Sequence, residues 1–213
     1  MKYKAFLFDL NGTMVNDMPY HIKAWHRILN ELGANVSIER TKAECYGKNN
    51  ELLERIFPGR FTEAEKNRIS LEKEKQYQKE YAPKLKLIEG LDKILKASKE
   101  QGIKMAIGSA AITFNVSFVI DGLHIRHYFD AIVTADDVTC SKPDPETYNR
   151  CATNLGIAPK DCLVFEDAPK GAESAQLANM DCVIINSLHR AQEFANFNNI
   201  IGFKQDYNNF TLS

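Results

Sequence analysis

The sequence predicts an α/β fold, a doubly wound and mostly parallel sheet with a helical insertion, on three observations. Short apolar runs recur at Ala5-Phe6-Leu7-Phe8, Ile103 to Ile107, Ala131-Ile132-Val133, Cys162-Leu163-Val164-Phe165 and Cys182 to Ile185. Their length and near-continuous hydrophobicity suit strands buried on both faces of a parallel sheet. From Gly90 onward these runs alternate regularly with helical patterns, whereas some seventy residues of helical, largely charged sequence lie between the first run and that point.

The first run stops on Asp9 and turns through Asn11-Gly12-Thr13. Ligands of open α/β sheets collect outside the carboxyl ends of the strands. A carboxylate there suits a metal ligand or a nucleophile toward phosphorus. It suits equally an acid that caps a turn. A helix is expected from Asp17 as N-cap with Pro19 in its first turn, its apolar stripe running Ile22, Trp25, Leu29 and Leu32 to Gly33. His21 lies beside that stripe, where a structural, hydrogen-bonded histidine is the commoner case.

Tyr46-Gly47-Lys48-Asn49-Asn50-Glu51 reads as a loop feeding a helix that Pro58-Gly59 breaks. Thr62-Glu63-Ala64-Glu65 is a capping-box pattern, and the charges Glu72, Lys73, Glu74 and Lys75 on its helix read as a solvated face. Residues 16–86 are therefore expected to form a small helical cap domain, inserted into a core domain made of 1–15 and 87–213.

In the core, the second strand leads into Gly108-Ser109-Ala110, a hydroxyl with backbone N–H groups at a strand end, which suits phosphate as well as an ordinary turn. Ser141-Lys142-Pro143-Asp144-Pro145 precedes a helix carrying Tyr148, Cys151, Ala152 and Leu155. Lys142 there either reaches an anion or is simply solvated. The fourth strand ends on Glu166-Asp167, and two adjacent acids repel unless a cation offsets them, most simply Mg²⁺. The stretch after 188, rich in Asn and Phe, carries no readable pattern.

Composition narrows the function. The 213 residues carry a formal net charge of -1, which gives no electrostatic reason to expect nucleic acid or an anionic membrane as partner. Five cysteines without a Cys-x-x-Cys pair read as buried hydrophobes in a reducing compartment. No stretch approaches the roughly 18 apolar residues of a membrane span, and the first apolar run ends at Asp9. A cytoplasmic monomer is expected.

Four pieces follow strands in a fixed order: Phe8-Asp9-Leu10-Asn11-Gly12-Thr13, Gly108-Ser109-Ala110, Ser141-Lys142-Pro143-Asp144-Pro145 and Phe165-Glu166-Asp167-Ala168-Pro169-Lys170-Gly171. Together they resemble the four motifs of the haloacid dehalogenase-like superfamily. The helical insert, Pro19-Tyr20-His21 and Ala24-Trp25 are most similar to its β-phosphoglucomutase-like subfamily. The resemblance implies a Rossmann-like core and phosphoryl transfer on a small phosphorylated substrate. It makes Asp9 the nucleophile and gives Mg²⁺ to Asp9, the backbone carbonyl of Asn11 and Asp167, with Glu166 beside them. Ser109, Ala110 and Lys142 would grip the phosphoryl group, while His21, Gly47, Lys48, Asn50 and Lys75 (or Lys73) would meet the rest of the substrate.

The chain departs from that pattern at residue 11, where the superfamily has a second Asp acting as general acid and base and this chain has Asn11. A leaving group acidic enough to depart unprotonated, replacement by His21 or Asp17, or a slow or inactive protein would each account for it. A second departure is Asn50, where the mutase resemblance implies an Arg for a second phosphate. A phosphatase is therefore placed ahead of a β-phosphoglucomutase, with a weakly catalytic phosphate-binding protein and a metal-free dehalogenase as further alternatives.

Overall fold

The computed structural model describes residues 2–185, 188–208 and 210; the outermost predicted bounds, 1 and 213, lie outside the described residues. In chain order the elements are β1 (Ala5–Phe8), α1 (Met18–Glu31), α2 (Ile38–Glu44), α3 (Asn49–Ile56), α4 (Glu63–Tyr81), α5 (Leu91–Glu100), β2 (Lys104–Gly108), α6 (Thr113–Gly122), β3 (Ala131–Val133), α7 (Glu146–Leu155), β4 (Cys162–Glu166), α8 (Pro169–Leu177), β5 (Asp181–Ile185) and β6 (Ile200–Lys204). The chain divides into two compact units, Met1–Asn16 with Lys86–Ser213, and Asp17–Leu85.

The first unit is built on a six-stranded parallel sheet in the order β3-β2-β1-β4-β5-β6. This is the doubly wound, Rossmann-like order, and the direction of winding reverses between β1 and β4, where such sheets bind ligands. Phe8 pairs with Ile107 on one side and Phe165 on the other, which brings the carboxyl ends of β1, β2 and β4 level.

Alternation within β1 sends its side chains to two different cores. Ala5 and Leu7 join Val164, Tyr148, Cys151 and Ala172, where α7 and α8 close one face. Phe6 and Phe8 face an aromatic layer in which Phe8 stacks on Phe165 at 4.8 Å and Tyr207 donates a hydrogen bond to the Thr13 carbonyl at 3.1 Å. The sixth strand, β6, lies in the stretch that carried no sequence pattern. It pairs with β5 across a register shift at Cys182/Val183 and sits at the sheet edge, with Ile201 and Phe203 about half exposed.

The second unit is helical. Trp25, Ile28 and Leu29 of α1 pack with Leu52, Leu53, Phe57 and Ile69. The Thr62 capping box is formed: the Glu65 N–H donates to Thr62 Oγ1 at 3.3 Å, and the Thr62 N–H to Glu65 Oε2 at 2.8 Å. The expectation of a solvated face over 72–75 is corrected, because Lys73 and Glu74 are buried and only Glu72 and Lys75 are exposed. Helical spacing explains the split, since 70, 73, 74 and 77 share the face of α4 turned toward α1. Asp17 precedes α1, but its side chain makes no cap hydrogen bond and instead accepts from the Tyr77 hydroxyl at 2.5 Å.

Candidate active site

The site in the sheet unit starts where β1 ends. The Asp9 N–H donates to the Phe165 carbonyl at 2.9 Å, so β1 and β4 are still zipped together at the residue whose carboxylate must be placed. The chain then turns sharply: Gly12 has φ +86°, a conformation that favours glycine, and its N–H donates to the Val15 carbonyl at 2.8 Å. Asp9 is left buried at the sheet's carboxyl edge.

Lys142, in the loop before α7, reaches the same point. Its ammonium donates to Asp9 Oδ1 and to Glu166 Oε1, each at 2.7 Å. Burial opposes the charge on Lys142, but Asp9 and Glu166 outweigh it and hold its pKa above the ordinary lysine value. These two bonds use two of the three ammonium N–H groups, leaving one to point at a ligand.

Glu166 is saturated. Oε1 accepts from Lys142 and from the Tyr148 hydroxyl at 2.8 Å, and Oε2 accepts from the backbone N–H groups of Asp167 and Ala168 at 2.9 and 3.2 Å. A carboxylate has about four lone-pair positions, and here protein donors take them all. Room for this arrangement comes from Gly171 in the first turn of α8, where a Cβ would lie 1.8 Å from Glu166 Oε1.

One carboxylate oxygen from each of Asp9, Glu166 and Asp167 lies within 4.8 Å of the others. Three carboxylates against the one ammonium of Lys142 leave a formal surplus of two negative charges among buried groups, which fits a hard divalent cation.

Ser109 is buried at the end of β2, its N–H donating to the Val133 carbonyl at 2.9 Å. Its Oγ accepts from the Ala111 N–H at 3.1 Å, a local turn bond that leaves the hydroxyl proton for another acceptor. Asn11 and Ala110 lie in the turns after β1 and β2, at this same edge.

The other expected residues belong to the helical unit. His21 is buried, stacked on Tyr77 at 3.8 Å, with Nδ1 2.6 Å from the Lys73 ammonium and Nε2 3.5 Å from Asp17 Oδ2. Glu74 Oε1 accepts from Lys73 at 2.9 Å and from the Asn49 amide at 2.8 Å, whereas its Oε2 meets no hydrogen-bond partner among the described residues. Burial pushes the Glu74 carboxyl up, but Lys73 and His21 outweigh it and hold it below the usual carboxylate range. Gly47 has φ +73° before α3, and the Lys48 N–H donates to Glu51 Oε2 at 2.9 Å. The Asn50 amide donates to Glu63 and Asn67. Lys75 is exposed.

Two features of the sheet unit escaped the sequence. Tyr148 was legible only as a core residue of its helix, although a buried Tyr ordinarily finds a partner for its hydroxyl. Gly171 was legible only as part of a motif.

Comparison with known proteins identifies the family. The haloacid dehalogenase-like hydrolase family profile matches residues 6–185. The fructose-1-phosphate phosphatase YqaB of Escherichia coli is 30% identical over 188 residues, covering 88% of this chain and 98% of that one. The β-phosphoglucomutase of Bacillus subtilis is also 30% identical over 188 residues, covering 84% and 82%. Among solved structures, a HAD hydrolase of family IA from Entamoeba histolytica superposes with a TM-score of 0.87 at 27% identity, covering 98% of this chain and 96% of that one. A β-phosphoglucomutase from Clostridium difficile gives 0.84 at 26%, covering 99% and 94%. With that profile spanning most of its length, and relatives 30% identical over more than four-fifths of it, this chain belongs to the haloacid dehalogenase-like hydrolase family.

Proposed function

We propose that the chain is a Mg²⁺-dependent phosphohydrolase acting on a small phosphorylated metabolite, of the sugar-phosphate kind named for its relatives. The observation that carries this reading is the Lys142 ammonium held between Asp9 and Glu166, with Asp167 in the same acidic group. Asp9 Oδ attacks phosphorus, the bond from phosphorus to the leaving oxygen breaks, and that oxygen departs with the electron pair, leaving an aspartyl phosphate. Water then attacks phosphorus, the bond from phosphorus to Asp9 Oδ breaks, and inorganic phosphate leaves with the proton passing to solvent, which restores the carboxylate.

The third N–H of Lys142 and the hydroxyl proton of Ser109 are the donors assigned to the phosphoryl oxygens. Asp9, Asp167 and the backbone carbonyl of Asn11 would hold Mg²⁺, which would supply positive charge against the negative phosphoryl oxygens. Glu166 is assigned to hold Lys142 rather than the metal, because its acceptor positions are full. Residues 17–85 are assigned as a cap that meets the non-phosphate part of the substrate.

Asn11 sets the expected character of the enzyme. Its amide cannot carry the proton that a second Asp would, so substrates with acidic leaving groups should react best and hydrolysis of the aspartyl phosphate should be slow. The mutase reading is kept second: two of the relatives described above bear that name, but the Asn50 side chain is an amide that donates to Glu63 and Asn67 and offers no cation for a second phosphate.

Phosphate release should be measured over hexose and hexitol phosphates, nucleotides, pyrophosphate and acetyl phosphate, with and without Mg²⁺. Release that needs Mg²⁺ and vanishes in Asp9→Asn is expected. Release that survives EDTA, or that survives Asp9→Asn, would overturn the mechanism, and conversion of β-glucose 1-phosphate to glucose 6-phosphate would favour the mutase.

A further inference from the structure

We propose that Tyr148 is a positioning residue for phosphoryl transfer, holding Glu166 with its hydroxyl and Lys142 with its ring so that the ammonium stays aimed at the phosphoryl site. This rests on the phosphohydrolase reading above.

Tyr148 is fully buried on the first turn of α7, six residues after Lys142. Its hydroxyl donates to Glu166 Oε1 at 2.8 Å, the same oxygen that accepts from Lys142 at 2.7 Å. Its ring centroid lies 4.6 Å from the Lys142 ammonium, within cation–π range. One side chain thus touches both members of the ion pair by two different forces. Without the phenol, Glu166 Oε1 keeps a single donor, and its carboxylate can rotate away from the line through Lys142 and Asp9.

The tyrosine is itself fixed. Gly108 at the end of β2 is so close to α7 that a Cβ there would lie 3.1 to 3.2 Å from Cys151 Sγ, Thr147 Cγ2 and Tyr148 Cε1. Burial, then Glu166 and Asp9, push the phenol well above its ordinary pKa, so it stays a donor throughout the working range. The contact therefore transmits the position of α7 to Lys142 without contributing charge.

The two forces predict a graded series. Tyr148→Phe removes the hydrogen bond and keeps the ring, whereas Tyr148→Leu removes both. Binding of inorganic phosphate in the presence of Mg²⁺, followed by calorimetry, is expected to weaken about tenfold in Tyr148→Phe and further in Tyr148→Leu, the scale of a lost hydrogen bond to a charged group. In a Glu166→Gln background, Tyr148→Phe should cost less than about twofold, because the partner through which it acts has changed; simple loss of packing would cost the same in both backgrounds. Independently of phosphate, acylation of the Lys142 amine in the native protein, followed by peptide mass spectrometry, should accelerate in the order wild type, Tyr148→Phe, Tyr148→Leu.

Unchanged phosphate affinity and unchanged Lys142 labelling in Tyr148→Phe would overturn the inference while leaving the phosphohydrolase reading intact. A wild-type protein that neither binds nor releases phosphate would overturn that reading, and the labelling order would still decide whether Tyr148 positions Lys142.

Discussion

Lys142 and Glu166 form a buried ion pair, ammonium to Oε1 at 2.7 Å, and the same ammonium is 2.7 Å from Asp9. Removing one partner of such a group leaves uncompensated charge in a low-dielectric setting, at a typical cost of about 3–5 kcal/mol. Lys142→Ala should therefore lower stability by roughly that amount and abolish phosphate release. Mg²⁺ should stabilise the variant more than the wild type, since it alone then offsets the acids. Thermal denaturation with and without Mg²⁺ checks this, and a variant as stable as wild type would contradict it.

Glu166 fits only because residue 171 has no side chain. Gly171→Ala puts a Cβ 1.8 Å from Oε1 of a carboxylate pinned by four donors, so the clash is not relieved by simple rotation. A loss of about 1–3 kcal/mol, the usual scale of overpacking, is expected together with reduced activity. Gly202→Ala, with nothing within 4 Å of its Cβ, should change stability by less than about 0.5 kcal/mol and serves as the control. Equal denaturant midpoints for the two variants would refute the account of residue 171.

Asn11 leaves the site without a proton carrier two residues beyond the nucleophile. Asn11→Asp should raise turnover on phosphate esters with poor leaving groups by as much as 10² to 10⁴, the usual scale of general acid–base catalysis. The gain on acetyl phosphate should be smaller, because its leaving group needs no proton. Steady-state rates on the two substrates decide it; no gain on either would show that another group already fills the role.

The acid limb of stability should reflect Glu74. Its pKa is held below the ordinary carboxylate value, so its contribution is present above that value and is lost as pH falls through the folded pKa. In Glu74→Gln that loss is absent, and the stability difference between wild type and variant should shrink as pH drops from about 5 to 3, within the range where carboxylates titrate. Chemical denaturation at stepped pH measures it, and a difference independent of pH would contradict the assignment.

How far the sequence reached follows from how local each signal was. Asp9, Ser109 and the Glu166-Asp167 pair each stand beside a strand end and Lys142 shortly precedes a helix, so short patterns were enough to single them out. What Glu166 does was not legible, because it depends on Tyr148 and Gly171 arriving from α7 and α8. The burial of Lys73 and Glu74 was hidden because a run of alternating charge looks solvated until the face against α1 is known. Strand β6 was hidden because an edge strand with Gly202 at its centre has neither a continuous apolar run nor clean alternation.

The central claim is that Asp9 takes the phosphoryl group onto its own carboxylate. Because Asn11 offers no base for the second step, the intermediate should persist long enough to trap. Acid-quenching the protein after mixing with acetyl phosphate and Mg²⁺, followed by peptide mass spectrometry, should show one added phosphoryl group on the peptide that contains Asp9, and none when Mg²⁺ is omitted. Steady phosphate release with no adduct on that peptide at any quench time, or an adduct on another residue, would contradict the account.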